Sequence, residues 1–354
     1  MQRLVNSTDT TINVMDAGTT MRFLTAYFAI TNQNKIITGT DRMKQRPISL
    51  LVNALRTLGV TIEYLENDGF PPIKILGYNP KSIESIDIPG HISSQYISAL
   101  MMVAPLLPGG LTLNLTGKVG SRPYIEMTAA LMASFGVAPK LEGNCIRINP
   151  GEYRPTPFRV EADWSAASYW FALVALAEKA AITLPNISAK SLQGDRVIVE
   201  IMKKLGVEAH FKNETVHLTK CPHDNSIVWD FTDCPDLAQT VLPVCAAKGI
   251  HGKFTGMESL RFKESDRTAA LQTELAKINA QLIETAPNFW TLIPGDLSGL
   301  SHVEIDTYHD HRMAMGLAPL ATLVDLKINE PEVVNKSYPD FWRDLQRVGF
   351  SVTI

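Results

Sequence analysis

A chain of 354 residues and 39.0 kDa is long enough for two hydrophobic cores of ordinary domain size. Its 45% apolar and 19% charged residues describe a folded globular protein and argue against a disordered or bilayer-spanning one. A formal charge of -3 gives no support for a nucleic-acid partner, which calls for a basic surface. The four cysteines, Cys145, Cys221, Cys234 and Cys245, show neither metal-type CxxC spacing nor a disulfide framework. With no signal-peptide pattern at the N-terminus, they read as reduced thiols of a cytoplasmic protein.

In chain order, one class of segment has a small polar entry followed by small and apolar residues at helical spacing. It occurs as DAGTTMRFLTAYFA (16–29), HISSQYISALMMVAPLL (91–107), ADWSAASYWFALVALA (162–177), CPDLAQTVLPVCAA (234–247) and YHDHRMAMGLAPLAT (308–322), with starts 75, 71, 72 and 74 residues apart. Such segments are apolar on nearly all sides, so each is expected to be a buried helix with its polar first turn reaching solvent. A second class follows about thirty residues behind: RPISLLVNALRTLGVTIE (46–63), RPYIEMTAALMASFGVAPK (122–140), DRVIVEIMKKLGVEAH (195–210), DRTAALQTELAKINAQL (266–282) and YPDFWRDLQRVGFSV (338–352). These are amphipathic, and most end at a glycine suited to a helix C-cap. Short alternating runs, TIEYLE (61–66), CIRINP (145–150), VHLTK (216–220) and FWTLIP (289–294), read as strands. Two series in step imply five copies of one unit with two helices and several short strands. Polar first turns of buried helices favour anions through their free N–H groups and dipole. Asp16, Gly18, Thr19, Ser93, Ser94, Gln95, Asp236, Asp310, His311 and Arg312 therefore become candidate cleft residues; simple capping accounts for the Ser and Asp members better than for Gln95, Arg22 or Arg312.

The densest charge cluster is SLRFKESDR, 259–267. Arg261, Lys263, Glu264, Asp266 and Arg267 together are costly near a cleft unless they meet charged partners. Arginine grips carboxylate or phosphate bidentately and lysine adds a point charge, which suits an anionic substrate. Glu264 between those cations is the proton-transfer candidate; taken alone, the same cluster also fits a solvated first turn of a helix.

The ordered motifs DAGTTMR (16–22), GTDRMKQRP (39–47), ISSQYISAL (92–100), GSRPYIEMT (120–128), ADWSAASY (162–169), CPDLAQT (234–240), SLRFKESDR (259–267), TYHDHRMAM (307–315) and NKSYPDFW (335–342) resemble those of the 5-enolpyruvylshikimate-3-phosphate synthase family. The resemblance implies an α/β fold of α+β repeats, the inverse α/β prism of the enolpyruvyl transferases. It has two halves of three units each, with helix N-termini facing the interdomain cleft. Five of the six units are present, with no counterpart to the first, Lys- and Arg-bearing unit, which suggests a chain beginning at an internal methionine. On that basis 1–160 is one half, short of a unit and expected to be the less stable. Residues 161–354 are the other, short of a strand that relatives supply from the chain start.

The resemblance further implies transfer of the enolpyruvyl group of phosphoenolpyruvate to the 5-hydroxyl of shikimate 3-phosphate. It implies no metal or organic cofactor, no nucleic-acid or membrane partner, and a monomer at full length. Carried over motif by motif, Asp236 is the proton acceptor at the sugar-acid hydroxyl. Glu264 is the acid for the methylene carbon, and Lys263 shuttles protons and holds the hydroxyl. Gly18, Arg46, Gln95, Arg267, His311, Arg312 and Lys336 fall to phosphoenolpyruvate. Ser93, Ser94, Gln95, Ser121, Tyr124, Asp236 and Lys263 fall to shikimate 3-phosphate. The SAAS run after Asp163 reads first as packing. Arg122, Phe23 and Ser259 stand where relatives usually carry Lys, Pro and Asn, which bears on sensitivity to the family inhibitor glyphosate. Two alternatives remain at this stage. One is a non-catalytic anion-binding fragment; the other is the sister transferase acting on uridine-diphosphate-N-acetylglucosamine, whose usual loop cysteine has no counterpart between Pro105 and Pro123.

Overall fold

The computed structural model describes residues 1–91 and 93–353. The sequence period reappears as a repeated order of strand, helix, strand, helix and hairpin. In the first repeat these are β1 (Thr11–Asn13), α1 (Gly18–Ile30), β2 (Ile36–Thr38), α2 (Ser49–Thr57), β3 (Val60–Tyr64) and β4 (Ile73–Tyr78). The second runs β5 (Ser85–Pro89), α3 (Ser94–Val103), β6 (Leu111–Thr116), α4 (Arg122–Ser134), β7 (Lys140–Glu142) and β8 (Cys145–Ile148). The third has α5 (Trp164–Leu176), β9 (Ala181–Pro185), α6 (Ile198–Lys204), β10 (Val207–Lys212) and β11 (Thr215–Lys220). In the fourth come β12 (Ser226–Asp230), α7 (Ala238–Ala247), β13 (His251–Thr255), α8 (Arg267–Ala276), β14 (Gln281–Ala286) and β15 (Phe289–Ile293). The fifth consists of β16 (His302–Ile305), α9 (His311–Leu317), β17 (Asp325–Ile328) and α10 (Phe341–Arg347).

Complete repeats build the same mixed sheet, with strand orders β1-β2-β4-β3, β5-β6-β8-β7 and β12-β13-β15-β14. The first two strands pair in parallel across a helix, and the closing hairpin adds antiparallel. A parallel pair needs a crossover, which each core helix supplies. TIEYLE is thus an edge strand of its sheet, whereas CIRINP, VHLTK and FWTLIP are inner strands, so the four predicted strands are not all equivalent. The third and fifth repeats carry smaller sheets, β10-β11-β9 and β16-β17. Their edge strands β9 and β17 are less well covered: Ile182, Leu184, Leu326 and Ile328 are half-buried, whereas Ile37 and Leu113 on inner strands of complete sheets are fully buried.

The chain divides into two compact units, Met1–Phe158 and Arg159–Ile354, each with its own core. The first holds the two complete repeats I and II; both smaller sheets belong to the second. Core helices are apolar all round, as their composition requires. In α5 every residue except Ala166 is buried, and burying each large apolar side chain contributes roughly 1.5–3 kcal/mol. The amphipathic helices stop as their sequences predict. Gly59, Gly136, Gly206 and Gly349 follow α2, α4, α6 and α10 with φ of 107°, 95°, 100° and 105°, a left-handed conformation that glycine adopts without a Cβ penalty. Asn279 takes the same role after α8, with φ 60°. Among the described residues no helix is long and apolar enough to cross a membrane.

Candidate active site

Within the second unit, four elements deliver charge to one place. Asp236 lies in the 3-10 turn Pro235–Leu237 ahead of α7. Glu264 and Lys263 precede α8, whose first residue is Arg267. Asp310 and Arg312 flank the start of α9, and Lys336 ends a 3-10 turn before α10. Arg267 is the hub and its side chain is 1% exposed. Its Nε donates to Asp310 Oδ2 at 2.7 Å, Nη1 to Asp236 Oδ1 at 2.9 Å, and Nη2 to Glu264 Oε2 at 3.0 Å and Asp310 Oδ1 at 3.2 Å. Lys263 Nζ and Arg312 Nη2 reach Asp236 at 3.2 Å each, and Lys336 Nζ reaches Glu264 Oε1 at 3.2 Å.

Burial is graded across this network. The Asp310 side chain is 0% exposed, Asp236 and Glu264 are 19% and 15% exposed, and Lys263 and Lys336 are 25% and 31% exposed. A sealed Arg267–Asp310 base thus carries two carboxylates with accessible edges, each beside a reachable cation. Burial alone would push both aspartates toward neutrality. Arg312, Lys263 and Arg267 outweigh it at Asp236 and hold that pKa well below the ordinary carboxylate value. Arg267 does the same for Asp310. The arginines are opposed by burial too, yet the carboxylates keep Arg267 and Arg312 firmly protonated.

His311, assigned to phosphoenolpyruvate by the family resemblance, is 7% exposed. Burial lowers its pKa to about 4, partly offset by Asp310, so the ring is neutral at pH 7. Its Nδ1 is 3.7 Å from Asp310 Oδ1, too long for a hydrogen bond. The general expectation that polar first turns reach solvent is corrected here: Asp310 and His311 are interior, the Asp310 carboxylate being held there by Arg267.

The SLRFKESDR cluster separates into two roles. Lys263, Glu264 and Arg267 enter the network. Arg261 turns to an exposed ion pair with Glu284 at 2.7 Å. Asp266 caps α8 by accepting from the Ala269 N–H. The solvated-turn reading therefore holds for two of the five charges. Asp236 is no helix cap either, since its carboxylate is taken by three cations.

The first unit gathers a different set. Arg46 and Arg22, both buried, converge on Gly18 at the start of α1, where an added Cβ would meet Arg46 Nη2 at 2.7 Å and Arg22 Nη1 at 3.0 Å. Gly18 thus leaves room for the two guanidinium ends. Gln95 Nε2 donates to Thr19 Oγ1 at 3.0 Å, tying the first turn of α3 to that of α1. Ser93 caps α3 by accepting from the Gln95 N–H, and Ser94 is buried in that turn. Ser121, half-buried before α4, has φ 55° and makes no capping bond with its side chain. Tyr124 is half-buried in the first turn of α4.

Sequence reading gave no role to several residues that the structure connects to these sets. Asp310 is among the candidate cleft residues but has no role assigned from sequence. Ser165, assigned to packing, accepts from Arg312 Nη2 at 3.3 Å and donates to the buried Asp195 carboxylate. Arg22 lies under Tyr96, its guanidinium carbon 5.6 Å from the ring centroid. Arg22 carries a sequence signal as a cation in an otherwise apolar helix, and Asp310 one as a charge in the polar first turn of a buried helix.

Comparison with known proteins gives this arrangement a context. A family model described as EPSP synthase (3-phosphoshikimate 1-carboxyvinyltransferase) matches residues 1–345. A 3-phosphoshikimate 1-carboxyvinyltransferase of Bacteroides fragilis (strain YCH46) is 44% identical over 348 residues, covering 97% of this chain and 84% of that protein. The one from Methanospirillum hungatei JF-1 is 36% identical over 346 residues, covering 95% of this chain and 79% of its own length. A solved EPSP synthase from Acinetobacter baumannii superposes with a TM-score of 0.75 at 23% identity, over 98% of this chain and 80% of that one, which supports the shared fold. Family model, relatives and repeated fold agree: this chain belongs to the EPSP synthase family.

Proposed function

We propose that the chain transfers the enolpyruvyl group of phosphoenolpyruvate to the 5-hydroxyl of shikimate 3-phosphate, releasing phosphate. Family membership supplies the reaction. The observation that fits it best is the Asp236–Arg267–Glu264 bridge, in which one guanidinium holds two accessible carboxylates beside Lys263, Arg312 and Lys336. The comparisons favour this reading over both alternatives, the anion-binding fragment and the transferase acting on uridine-diphosphate-N-acetylglucosamine.

In this reading the hydroxyl oxygen attacks C2 of phosphoenolpyruvate while its proton passes to Asp236. Glu264 protonates the C3 methylene, giving a tetrahedral intermediate. Loss of phosphate from C2 and of a proton from C3 back to Glu264 then restores the double bond. A carboxylate held far below its usual pKa is a weak base. Anionic substrate engaging Arg312 and Lys263 removes part of the field that holds Asp236 down, so binding itself raises the basicity the first step needs. Arg312 and Lys336 meet the phosphoenolpyruvate charges, with Arg267 fixing the carboxylates between them. Preorganised charge, not covalent chemistry, then supplies most of the rate enhancement.

The first unit is assigned the binding of anions: Gly18, Arg46 and Gln95 for phosphoenolpyruvate, and Ser93, Ser94, Ser121 and Tyr124 for shikimate 3-phosphate. The second is assigned proton transfer. A monomer in the cytoplasm is the setting that follows. Phosphate release measured with both substrates tests the proposal. Turnover that requires both is expected; release from phosphoenolpyruvate alone, or none with the pair, would overturn it.

A further inference from the structure

Helix α8 carries a second buried charge two turns beyond Arg267. Glu274 is seven residues on and so lies on the same face of the helix. Its carboxylate is fully buried and accepts three donors: Tyr308 Oη at 2.7 Å, the Asp306 N–H at 3.1 Å, and Lys277 Nζ at 2.9 Å. Two of these come from the segment that leads into α9. That segment contains an unusual turn: Tyr308 and His309, neither a glycine, follow one another with φ of 54° and 55°, a region that L residues avoid. Asp310 N–H closes the turn on Thr307 O at 2.8 Å.

From this geometry we infer that Glu274 and Tyr308 form a latch that holds the left-handed turn and thereby positions Asp310 and Arg312, which makes Glu274 a positioning residue for phosphoenolpyruvate binding. The proposal rests on the function proposed above. Lys277 supplies the positive charge on this glutamate and shares it with the Asp306 carboxylate at 2.9 Å; the tyrosine hydroxyl and the Asp306 amide are neutral donors that cancel no charge. Their effect is to fix the backbone on one side of the turn. On the other side Asp310 is clamped by Arg267 of the same helix. The 306–310 segment is therefore pinned to α8 at two points, and the strained residues lie between them. If the Glu274 end is released, the turn keeps the Thr307 and His309 contacts with Glu330 but loses its anchor to α8 ahead of Asp310 and can relax. Asp310 and Arg312 then shift, and with Asp310 moves the group that aligns Arg267.

The test uses the full chain, with initial rates measured while each substrate is varied in turn. Tyr308→Phe removes one oxygen from a half-exposed ring and is expected to raise KM for phosphoenolpyruvate about fivefold, with KM for shikimate 3-phosphate unchanged within about twofold. Glu274→Ala is expected to exceed that effect. Glu274→Gln keeps an acceptor for the tyrosine and should fall between Glu274→Ala and the parent. A merely structural loss lowers the active fraction, and so the apparent kcat, but leaves both KM values alone. Unchanged KM for phosphoenolpyruvate in Tyr308→Phe and Glu274→Ala, or an equal rise in both KM values, overturns the latch. If the parent chain does not turn over this substrate pair, the functional reading fails separately. Amide hydrogen exchange then decides the latch: faster exchange at 310–313 in Tyr308→Phe supports it, and an unchanged pattern there refutes it.

Discussion

Arg22 and Arg267 are both buried arginines near the start of a helix, and they are neutralised in opposite ways. Arg22, 4% exposed, donates to the Gly18 and Pro47 carbonyl oxygens at 3.2 and 3.3 Å and to the Met43 sulfur at 3.8 Å. Carbonyl groups take up the two Nη nitrogens, the buried Nε finds no hydrogen-bond acceptor, and none of these contacts cancels the charge. With the first turn of α1 close by, Arg22 keeps a positive field that an anion can complete. Arg267 spends its donors on three carboxylates, so its charge is cancelled locally and its geometry becomes a template for Asp236 and Glu264. Isolated buried charge serves binding; paired buried charge serves the placement of proton-transfer groups.

The strongest test of that contrast is chemical. Asp236→Asn keeps the shape of the side chain and removes its basicity, so phosphate release should fall by about 10²–10⁴-fold while the unfolding midpoint shifts far less. Retention of activity would remove the second unit's claim to the proton step. Next comes a pair of arginine substitutions compared by denaturant unfolding. Arg267→Met takes the arginine from the fully buried Asp310, while Asp236 and Glu264 keep Lys263, Arg312 and Lys336, and should destabilise by about 3–5 kcal/mol. Arg22→Met leaves only neutral carbonyls behind and should cost about 1–2 kcal/mol. Equal losses would erase the distinction between the two sites.

Acidification separates the units further. His311 titrates at about 4 when folded, below the value near 6.5 expected of an unfolded histidine. The unfolded chain therefore binds the extra proton between those values, and stability falls as pH drops from 6.5 to 4. The loss amounts to roughly 3 kcal/mol by pH 4. Asp236 and Asp310, with depressed folded pKa values, add stability that is complete above the unfolded carboxylate value. That contribution is lost only below it. Unfolding of the His311→Asn variant between pH 7 and 4 should show the histidine contribution gone and the aspartate one intact. The smallest effect is expected at Gly18→Ala. The new methyl presses on the flexible ends of Arg46 and Arg22, so KM for phosphoenolpyruvate should rise about tenfold with little change in the melting temperature. A large fall in stability would instead make Gly18 a folding residue.

Local structure was largely legible because its causes are local. Apolar runs gave the core helices, and the glycines after α2, α4, α6 and α10 marked where amphipathic ones stop. The repeat emerged from spacing alone, and ordered motifs pointed to the family. Sheet order was not legible. In each complete sheet the last strand inserts between the second and the third, an arrangement that alternation within a strand does not encode. The roles inside SLRFKESDR were equally hidden: nothing local distinguishes Arg261, which pairs outward with Glu284, from Arg267, which pairs inward.

The sequence by itself determined the repeated unit, the burial of its core helices and the residue types available for acid, base and anion chemistry. These follow from hydrophobic periodicity and from side-chain chemistry within a few positions. Tertiary structure alone decided which charges meet. The Arg267–Asp236, Arg267–Asp310 and Lys336–Glu264 pairs join positions 31, 43 and 72 apart, and the depth at which each pair lies sets its electrostatics. Coulombic coupling depends on distance and surrounding dielectric, and both come into being only when distant segments pack.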